Sequence, residues 1–421
     1  MHLLITFTHF FQIMGVPKLK SFLQAHFPSA FSPSTNGKSY DCCLIDVNGI
    51  MHTAARRSTS ASKLHQIFHR EIETILRRFT ITDNVMFAID GPGSCGKLMV
   101  QRTRRMQLGR KMLGTPGAFD RRTISTGTLF MDEFEMGLQW YAAHKIIKSI
   151  KTRPGLTFLI DGSGSAGEGE HKMIAHVKKL NATSKTIAVI GEDSDIFLLL
   201  IASMSKNIDY IHENNKQRFD VEKLRSVLAS LVPGKCVQNL SIDLTALILI
   251  SSGSDYLPAA AYVSLAKNWL RYLEVVKNGG KYLVDLKNQR FNLDVLEQIL
   301  DDKRAQGHGY EKRRIISLSE VHDFLNGTLW SLEIYITGKC PDYHYIFQHQ
   351  MGPDRDAIIR YCKASRPDGP IKQINSKDYS TVVEFLRQES IAAKKVSERQ
   401  LLKVTRSSRP ALDSHVIAAL V

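Results

Sequence analysis

Short apolar runs alternate with amphipathic stretches in the first part of the chain. Four of these runs have the length and the continuous apolar character of buried parallel strands: residues 42–46, 85–89, 157–160 and 187–190. Between the last two runs, Met173, Val177 and Leu180 recur at helical spacing. Because strands alternate with helices, the pattern predicts an α/β fold in which a central, mostly parallel sheet is flanked by helices.

The last part of the chain is predicted to be mainly helical. Helical patterns cover residues 294–302 and 320–336, a hairpin is expected over 281–293, and the basic stretch from Lys394 is expected to be partly helical. No internal repeat, low-complexity segment or clear linker interrupts the sequence. We therefore expect one compact body over residues 14–260 and a mainly helical C-terminal extension over 261–421.

Residues 1–13 form an apolar segment without the basic start and small-residue cleavage site of a signal peptide. Met14 then opens a second plausible beginning, M-G-V-P-K, so we expect residues 1–13 to be a dispensable N-terminal extension. No apolar run reaches the length of a membrane span, and no membrane partner is expected.

Two closely spaced pairs of carboxylates follow the third and fourth predicted strands. Glu168 and Glu170 flank one glycine, and Asp193 and Asp195 flank one serine. In open α/β sheets the reactive groups gather beyond the carboxyl ends of the strands, where both pairs fall. Carboxylates this close repel one another, and bound Mg²⁺ or Mn²⁺ is the usual compensation. The alternative for either pair is a solvated acidic loop.

Three more carboxylates follow apolar runs. Asp46 and Asp90 end the first two predicted strands, so they lie at the same edge of the sheet as the two pairs. Asp255 comes shortly after the apolar run at residues 244–250. The sequence thus predicts an acidic centre built from separate segments.

A face of cationic and amide side chains is predicted directly after Asp90. It is formed by residues at i, i+4, i+7 and i+8 of a helix, which are Lys97, Gln101, Arg104 and Arg105. Lysine and arginine side chains can bind a phosphate group, and the arginine fork suits its oxygens. The alternative is an ordinary solvated basic face.

The chain is strongly basic, with a formal net charge of +15 and a pI near 9.5. A basic protein with a concentrated acidic centre indicates a polyanionic substrate held over metal ions, although charge alone also fits a merely soluble protein. The six cysteines include no C-x-x-C motif, which gives little support for a zinc site. Cys42 and Cys43 lie in a predicted buried strand, as expected for reduced thiols in the cytosol or nucleus.

Six blocks of the sequence resemble, in the same order, those of the 5′→3′ exoribonuclease (XRN) family. They are M-G-V-P-K at Met14, D-V-N-G-I-M-H at Asp46, D-G-x5-K-x3-Q-R-x-R-R at Asp90, G-E-G-E-H-K at Gly167, G-x-D-S-D at Gly191 and G-S-D-Y-L-P at Gly253. A weaker match continues toward residue 356. The chain has D-S-D where the family usually has D-A-D, S-D-Y where it has N-D-F, and tyrosines in place of tryptophans in the weaker region.

The resemblance implies a nuclease core, over residues 14–260, related to flap endonucleases and PIN domains. Its seven catalytic and metal-binding carboxylates would be Asp46, Asp90, Glu168, Glu170, Asp193, Asp195 and Asp255. The pocket for the 5′-phosphate would be formed by Lys97, Gln101, Arg104 and Arg105, and His52 would contact the first base. The region after residue 260 would be a reduced second conserved region.

Tyr345 aligns with a tryptophan of the family, which predicts that it stacks on one face of the first base while His52 stacks on the other. Such a sandwich is tolerant of sequence because every base has a π-face. The alternatives are that Tyr345 is an ordinary core aromatic and that His52 is a packing histidine.

These observations predict a metal-dependent 5′→3′ exoribonuclease of RNA decay, including mRNA decay, in the cytoplasm or nucleus. It would hydrolyse single-stranded RNA that carries a 5′-monophosphate, with two Mg²⁺ or Mn²⁺ ions. The alternatives are a structure-specific 5′-flap DNA nuclease, a catalytically retired RNA-binding scaffold and a metabolic phosphatase. The scaffold is disfavoured because all seven acids are present, and the phosphatase leaves the basic excess unexplained.

Overall fold

The computed structural model describes residues 16, 18–34, 36–112, 119–149, 155–181, 184–212, 217–301 and 315–365. The strands are β1 (Phe31–Pro33), β2 (Ser39–Asp46), β3 (Thr80–Ala88), β4 (Thr157–Asp161), β5 (Ile187–Gly191), β6 (Ile208–His212), β7 (Gln217–Asp220), β8 (Val284–Asp285) and β9 (Arg290–Phe291). The α-helices are α1 (Leu19–His26), α2 (Val47–Arg56), α3 (Ala61–Arg78), α4 (Cys95–Met112), α5 (Leu129–Ser149), α6 (Gly169–Asn181), α7 (Asp195–Ser203), α8 (Val221–Leu231), α9 (Val237–Ser252), α10 (Leu265–Lys277), α11 (Leu293–Leu300), α12 (Leu318–Thr337) and α13 (Arg355–Ala364).

The first seven strands form one sheet in the order β1-β7-β6-β5-β2-β3-β4. Strands β6, β5, β2, β3 and β4 are parallel, and only the β6–β7 and β7–β1 pairs are antiparallel among these strands. This confirms the predicted mostly parallel sheet. Strands β3 and β4 are added in chain order on one side of β2, and the next strand, β5, pairs with β2 on its other side. The β2–β5 junction is therefore a topological switch point, where such folds bind their ligands.

Helices cover both faces of the sheet because the inner strands are apolar on both sides. Leu44 of β2 and Val189 of β5 belong to one core, shared with α6, α7, α9 and α12. The neighbouring residues Ile45 and Ile190 point to the opposite face and join a second core, formed with α2, α3 and α5. Both cores anchor the strands whose carboxyl ends carry the acids.

The fourth strand departs from its prediction. The apolar run at residues 157–160 indicated a buried strand, but β4 lies at the edge of the sheet and is only partly buried along its length. The prediction of burial was wrong. The apolar content of a strand depends on what packs against its two faces, and it does not determine whether the strand lies at the centre or at the edge of the sheet.

The described part of the C-terminal region packs on the sheet layers. Helix α12 contacts α6, α7 and α9, and Gly338 at its end lies so close to α6 that a Cβ atom there would come within 2.5 Å of the His171 carbonyl oxygen. The predicted hairpin is the β8–β9 pair. The predicted extension at residues 1–13 and the basic stretch from Lys394 lie outside the described residues. None of the described helices is long and apolar enough to cross a membrane.

Asp243 of α9 fixes the β8–β9 hairpin to the core. Its carboxylate accepts hydrogen bonds from the Tyr272 hydroxyl at 2.6 Å and from the backbone amides of Leu283 and Val284 at 2.7 and 2.9 Å. Burial raises the pKa of Asp243 to about 7 in spite of these donors, which favour the charged form. The group therefore favours the folded state most at acidic pH, and this contribution is lost as the pH rises through about 7.

We expect Asp243→Asn to lower the free energy of unfolding by about 1–3 kcal/mol. The NH₂ group of asparagine cannot accept a hydrogen bond, so at least one of the buried donors that face Asp243 would lose its acceptor. The loss should be largest near pH 4 and smaller near pH 7, since wild type alone loses stability over that range. Urea unfolding at several pH values measures it. Asp285→Asn, a partly exposed carboxylate on β8, is the control. A loss that grows toward pH 7 would contradict this prediction, because it would require the pKa of Asp243 in the folded protein to lie below its usual value.

Candidate active site

The carboxyl ends of β2 and β3 bring two acids to the switch point. Asp46 is the last residue of β2 and caps α2, accepting hydrogen bonds from the Asn48 and Gly49 amides at 3.1 and 3.4 Å. Asp90 follows β3 and accepts a hydrogen bond from the Gly169 amide at 2.7 Å. Asp90 itself donates its backbone N–H to the Asn48 side chain at 2.9 Å. The two strand ends are thus locked together.

The loops after β3 and β4 are bound to each other through their backbones. The Gly91 amide donates to the Gly167 carbonyl at 2.8 Å, and the Gly167 amide donates to the Pro92 carbonyl at 2.9 Å. A Cβ atom on Gly91 would lie 1.7 Å from the Ser165 carbonyl oxygen, so only glycine fits there. This contact places Glu168 and Glu170 beside Asp90.

The end of β5 supplies the other pair. Asp195 begins α7 and accepts a hydrogen bond from the Val16 amide at 2.9 Å. The Asp195 amide donates to the Asp193 carboxylate at 3.2 Å, and the Tyr210 hydroxyl donates to the Asp193 carbonyl at 2.8 Å. A Cβ atom on Gly191 would lie 3.4 Å from Cβ of Asp46, which shows how closely β5 approaches β2.

Two of the seven acids are paired with cations inside the site. Lys97 of α4 forms salt bridges with Glu168 and, at 2.7 Å, with Asp255, and Arg104 binds Asp255 at 2.8 Å. The Tyr256 hydroxyl donates to the second oxygen of Glu168 at 2.5 Å. Burial would raise the pKa of Glu168 and of Asp255, but the charges of Lys97 and, at Asp255, of Arg104 outweigh it, and both pKa values are lowered.

The other five acids have no salt bridge to a lysine or arginine within the described ranges, and they are Asp46, Asp90, Glu170, Asp193 and Asp195. Burial, together with the charges of Asp90 and Asp193, raises the pKa of Asp46 to about 8. Burial and neighbouring aspartates hold the pKa values of Glu170 and Asp195 well above their usual range. Burial raises the pKa of Asp90 and of Asp193 as well. We call these five the uncompensated acids, because no lysine or arginine of the described ranges forms a salt bridge with them.

No group of acidic, histidine and cysteine side chains in the described part of the chain is arranged as a finished metal site. Lys97 lies instead between Glu168 and Asp255, where it supplies positive charge. The sequence predicted Lys97 in a phosphate-binding face, and in the structure its ammonium group faces the acids.

The rest of the predicted basic face lies on α4 as expected from its spacing. Arg105 donates to the Ser125 hydroxyl at 3.2 Å, and Gln101 is partly buried on the same helix. His52 of α2 lies near by: burial and the charges of Arg121, Arg56 and Arg104 lower the pKa of His52 to about 4, so its ring is neutral at pH 7. These three arginines belong to α2, α4 and the 3-10 helix Arg121–Thr123.

Tyr345 packs against the core of the C-terminal region. Its ring lies 4.6 Å from that of Trp330, centroid to centroid, and its hydroxyl occupies the space that a Cβ atom on Gly327 would need. Tyr256 contacts Trp330 from another side at 5.1 Å. Tyr345 is partly buried in this aromatic group, and its predicted stacking with His52 on a base stays a prediction.

Three residues that were not predicted from the sequence help to build the site. Asn48 binds the Asp90 backbone, Tyr256 binds Glu168, and the buried ammonium group of Lys172 donates to the carbonyls of Ile89 and Gly162 at 2.8 and 2.7 Å. All three lie inside the sequence blocks quoted above. Their roles depend on contacts between segments, which neither spacing nor periodicity reveals.

The protein-family model described as XRN 5′-3′ exonuclease N-terminus matches residues 14–214 of this chain. The human 5′-3′ exoribonuclease 1 is 25% identical over 244 residues, which is 51% of this chain and 14% of the human protein. The 5′-3′ exoribonuclease 2 of Neurospora crassa is 26% identical over 231 residues, which is 44% of this chain and 21% of that protein. The matches thus span less than a quarter of the length of these relatives.

Among solved structures, the catalytic core of Rad2 in complex with DNA is 14% identical, with a TM-score of 0.36, and the alignment covers 93% of this chain and 99% of that one. The bacteriophage T5 D15 flap endonuclease is 10% identical, with a TM-score of 0.32, 88% coverage of this chain and 99% of that one. The family match covers the first five of the six sequence blocks, and the block at Gly253 lies beyond it. The match over residues 14–214 and these relatives support the presence of an N-terminal region of the XRN 5′-3′ exonuclease family in this chain.

Proposed function

We propose that the chain is a metal-dependent 5′→3′ exoribonuclease that hydrolyses single-stranded RNA bearing a 5′-monophosphate. The observation that carries this proposal is the set of five uncompensated acids at the switch point of a chain region that matches the XRN family. The relatives named 5′-3′ exoribonuclease support the reaction class. The net charge of +15 around an acidic centre suits a polyanionic substrate.

The donor set fits a hard divalent cation such as Mg²⁺ or Mn²⁺. The five uncompensated acids offer only oxygen ligands, and burial, the main cause of their raised pKa values, disfavours their charged forms unless a cation binds beside them. We assign them as the metal-binding group, while Glu168 and Asp255 hold Lys97 and Arg104. Two bound ions would neutralise charge at the phosphodiester and activate water.

The 5′-end of the RNA is assigned to the basic side of the site. Arg104 and Arg105 of α4 and the arginines around His52 provide guanidinium groups of the kind that bind phosphate. Arg104 already binds Asp255, so its removal would disturb the acids as well. Arg105, which contacts Ser125, is the cleaner probe of phosphate binding.

Arg105→Ala is expected to slow the degradation of 5′-monophosphorylated RNA by about tenfold or more, because a charge-assisted contact contributes about 1.5–3 kcal/mol. RNA with a 5′-hydroxyl should be degraded at an unchanged rate. Initial rates on matched substrates measure both effects. The control is Arg102→Ala, an exposed arginine on the same helix. Equal slowing of both RNAs would mean that Arg105 contacts the polyanion in general and does not bind the 5′-phosphate specifically.

A structure-specific 5′-flap DNA nuclease is the second candidate, since the same acids would serve it. Degradation of 5′-monophosphorylated single-stranded RNA, compared with cleavage of a flap DNA of equal single-strand length, separates the two. The proposed function predicts much faster loss of the RNA. Preferential cleavage at the base of the DNA flap would overturn the proposed function.

A further inference from the structure

Helix α5 presents an apolar stripe to solvent. Its inner side is buried through residues such as Phe134 and Leu138 and is fixed to α3, since the Tyr141 hydroxyl and the Lys145 ammonium group both bind Glu73, at 2.8 and 2.5 Å. Its outer side carries four large apolar side chains whose exposed fractions are 71% for Leu129, 55% for Met136, 78% for Trp140 and 63% for Ile147.

The four exposed residues form one line along the helix. They are separated by seven, four and seven residues, so at about 100° per residue they fall within a sector of about 40°. Glu133 and His144 are exposed beside them on the same edge of the line. Single exposed apolar residues are ordinary on a protein surface, but four large ones in line on the same side of one helix indicate an interaction surface.

The stripe is complementary to the same stripe of a second copy when the two helices are antiparallel. About a midpoint near residue 138, Leu129 comes opposite Ile147, and Met136 comes opposite Trp140. Glu133 comes opposite His144 on the same side of the contact, so an acid meets a basic ring at both ends. This is the property of an isologous two-fold interface, in which residue i contacts residue j and j contacts i.

We propose that two copies of this chain associate through an antiparallel pairing of their α5 helices. The stripe from Leu129 to Ile147 is about 27 Å long at 1.5 Å per residue. Two helices paired over that length bury on the order of 1,000 Å² in total, which is the lower end of specific interfaces. The dimer is therefore weak and depends on concentration, with Trp140 at its centre as the main contact. This inference stands whether or not the chain cleaves RNA.

The test is sedimentation equilibrium of the full chain over a range of concentrations. Wild type should shift from monomer to dimer, and Trp140→Glu should weaken the association by more than about tenfold, because a central tryptophan usually dominates such an interface. Ile315→Glu, at an apolar residue 93% exposed and outside α5, should leave the association unchanged. A wild type that stays monomeric at every concentration would overturn the proposal, as would equal effects of the two variants.

A charge exchange tests the predicted register. Glu133→Lys places a cation opposite His144 of the other copy and should weaken the dimer, and the further change His144→Glu should restore it. Failure of the double variant to recover would contradict the register. Tryptophan fluorescence gives a second signal, since Trp269 and Trp330 are buried and Trp140 is the exposed one of the three. Its emission should move to shorter wavelength as the protein concentration rises.

Cysteine cross-linking tests the antiparallel direction. In a background with the exposed Cys236 replaced by serine, the pair Leu129→Cys and Ile147→Cys should form a covalent dimer on mild oxidation. Either cysteine alone should not, because position 129 faces position 147 of the other copy. Cross-linking by the single variants would show a parallel or non-specific contact and would overturn the proposal.

Discussion

Glu168→Gln and Glu170→Gln are expected to change the stability of the metal-free protein in opposite directions, although the two residues flank the same glycine. Glu168 is paired with Lys97 and Tyr256, so its neutralisation leaves a buried ammonium group less compensated and should cost about 2 kcal/mol. Glu170 faces Asp193 and Asp195, so its neutralisation removes repulsion and should gain about 1 kcal/mol. Urea unfolding in the presence of a chelator measures both.

Divalent cations should then act differently on the two variants. Mg²⁺ should stabilise wild type and Glu168→Gln by binding the folded state, and it should stabilise Glu170→Gln much less, because one of the assigned ligands is gone. The division of the acids into a paired and an uncompensated group would be contradicted if both variants lost stability without metal, or if Mg²⁺ stabilised both equally.

Asp193→Asn or Asp195→Asn is expected to abolish hydrolysis while RNA binding survives. Each substitution keeps the size of the side chain and removes the charge that would hold a metal ion, whose contribution of several kcal/mol to the transition state corresponds to at least about a thousandfold in rate. Gel assays give the turnover, and fluorescence anisotropy gives the affinity for RNA. Asp83→Asn, a partly exposed acid in β3 away from the strand end, should keep wild-type turnover.

Near wild-type turnover in both variants would exclude catalysis by these acids. Loss of RNA binding together with turnover would instead mean that the substitutions unfold the switch point. Circular dichroism of the same samples distinguishes that case, and wild-type spectra are expected.

Much of this site could be predicted from the sequence because parallel strands deliver their last residues to one edge. Asp46 and Asp90 end apolar runs, and the two acidic pairs follow runs of the same kind, so their meeting required only the fold class. Apolar content was less informative elsewhere. The run at residues 244–250 is part of helix α9, buried all round, which periodicity cannot distinguish from a buried strand.

The charge balance inside the site could not be predicted in the same way. Helical spacing placed Lys97 and Arg104 on one face of α4, but whether that face meets a phosphate or a carboxylate depends on where Asp255 arrives from α9. The Tyr256 hydroxyl, where the family usually has phenylalanine, is a further example: its bond to Glu168 joins segments 88 residues apart. Contacts of this kind follow from tertiary packing alone.

We propose that the chain removes nucleotides from a 5′-phosphorylated end with the help of metal ions. The direct measurement is a time course on one single-stranded RNA, 5′-monophosphorylated, labelled at the 5′-phosphate in one series and at the 3′-end in another, with Mg²⁺ and with chelator. We predict immediate release of the 5′-label as mononucleotide, late release of the 3′-label, and no cleavage with chelator. Longer fragments that retain the 5′-label, or cleavage without metal, would contradict the proposed function.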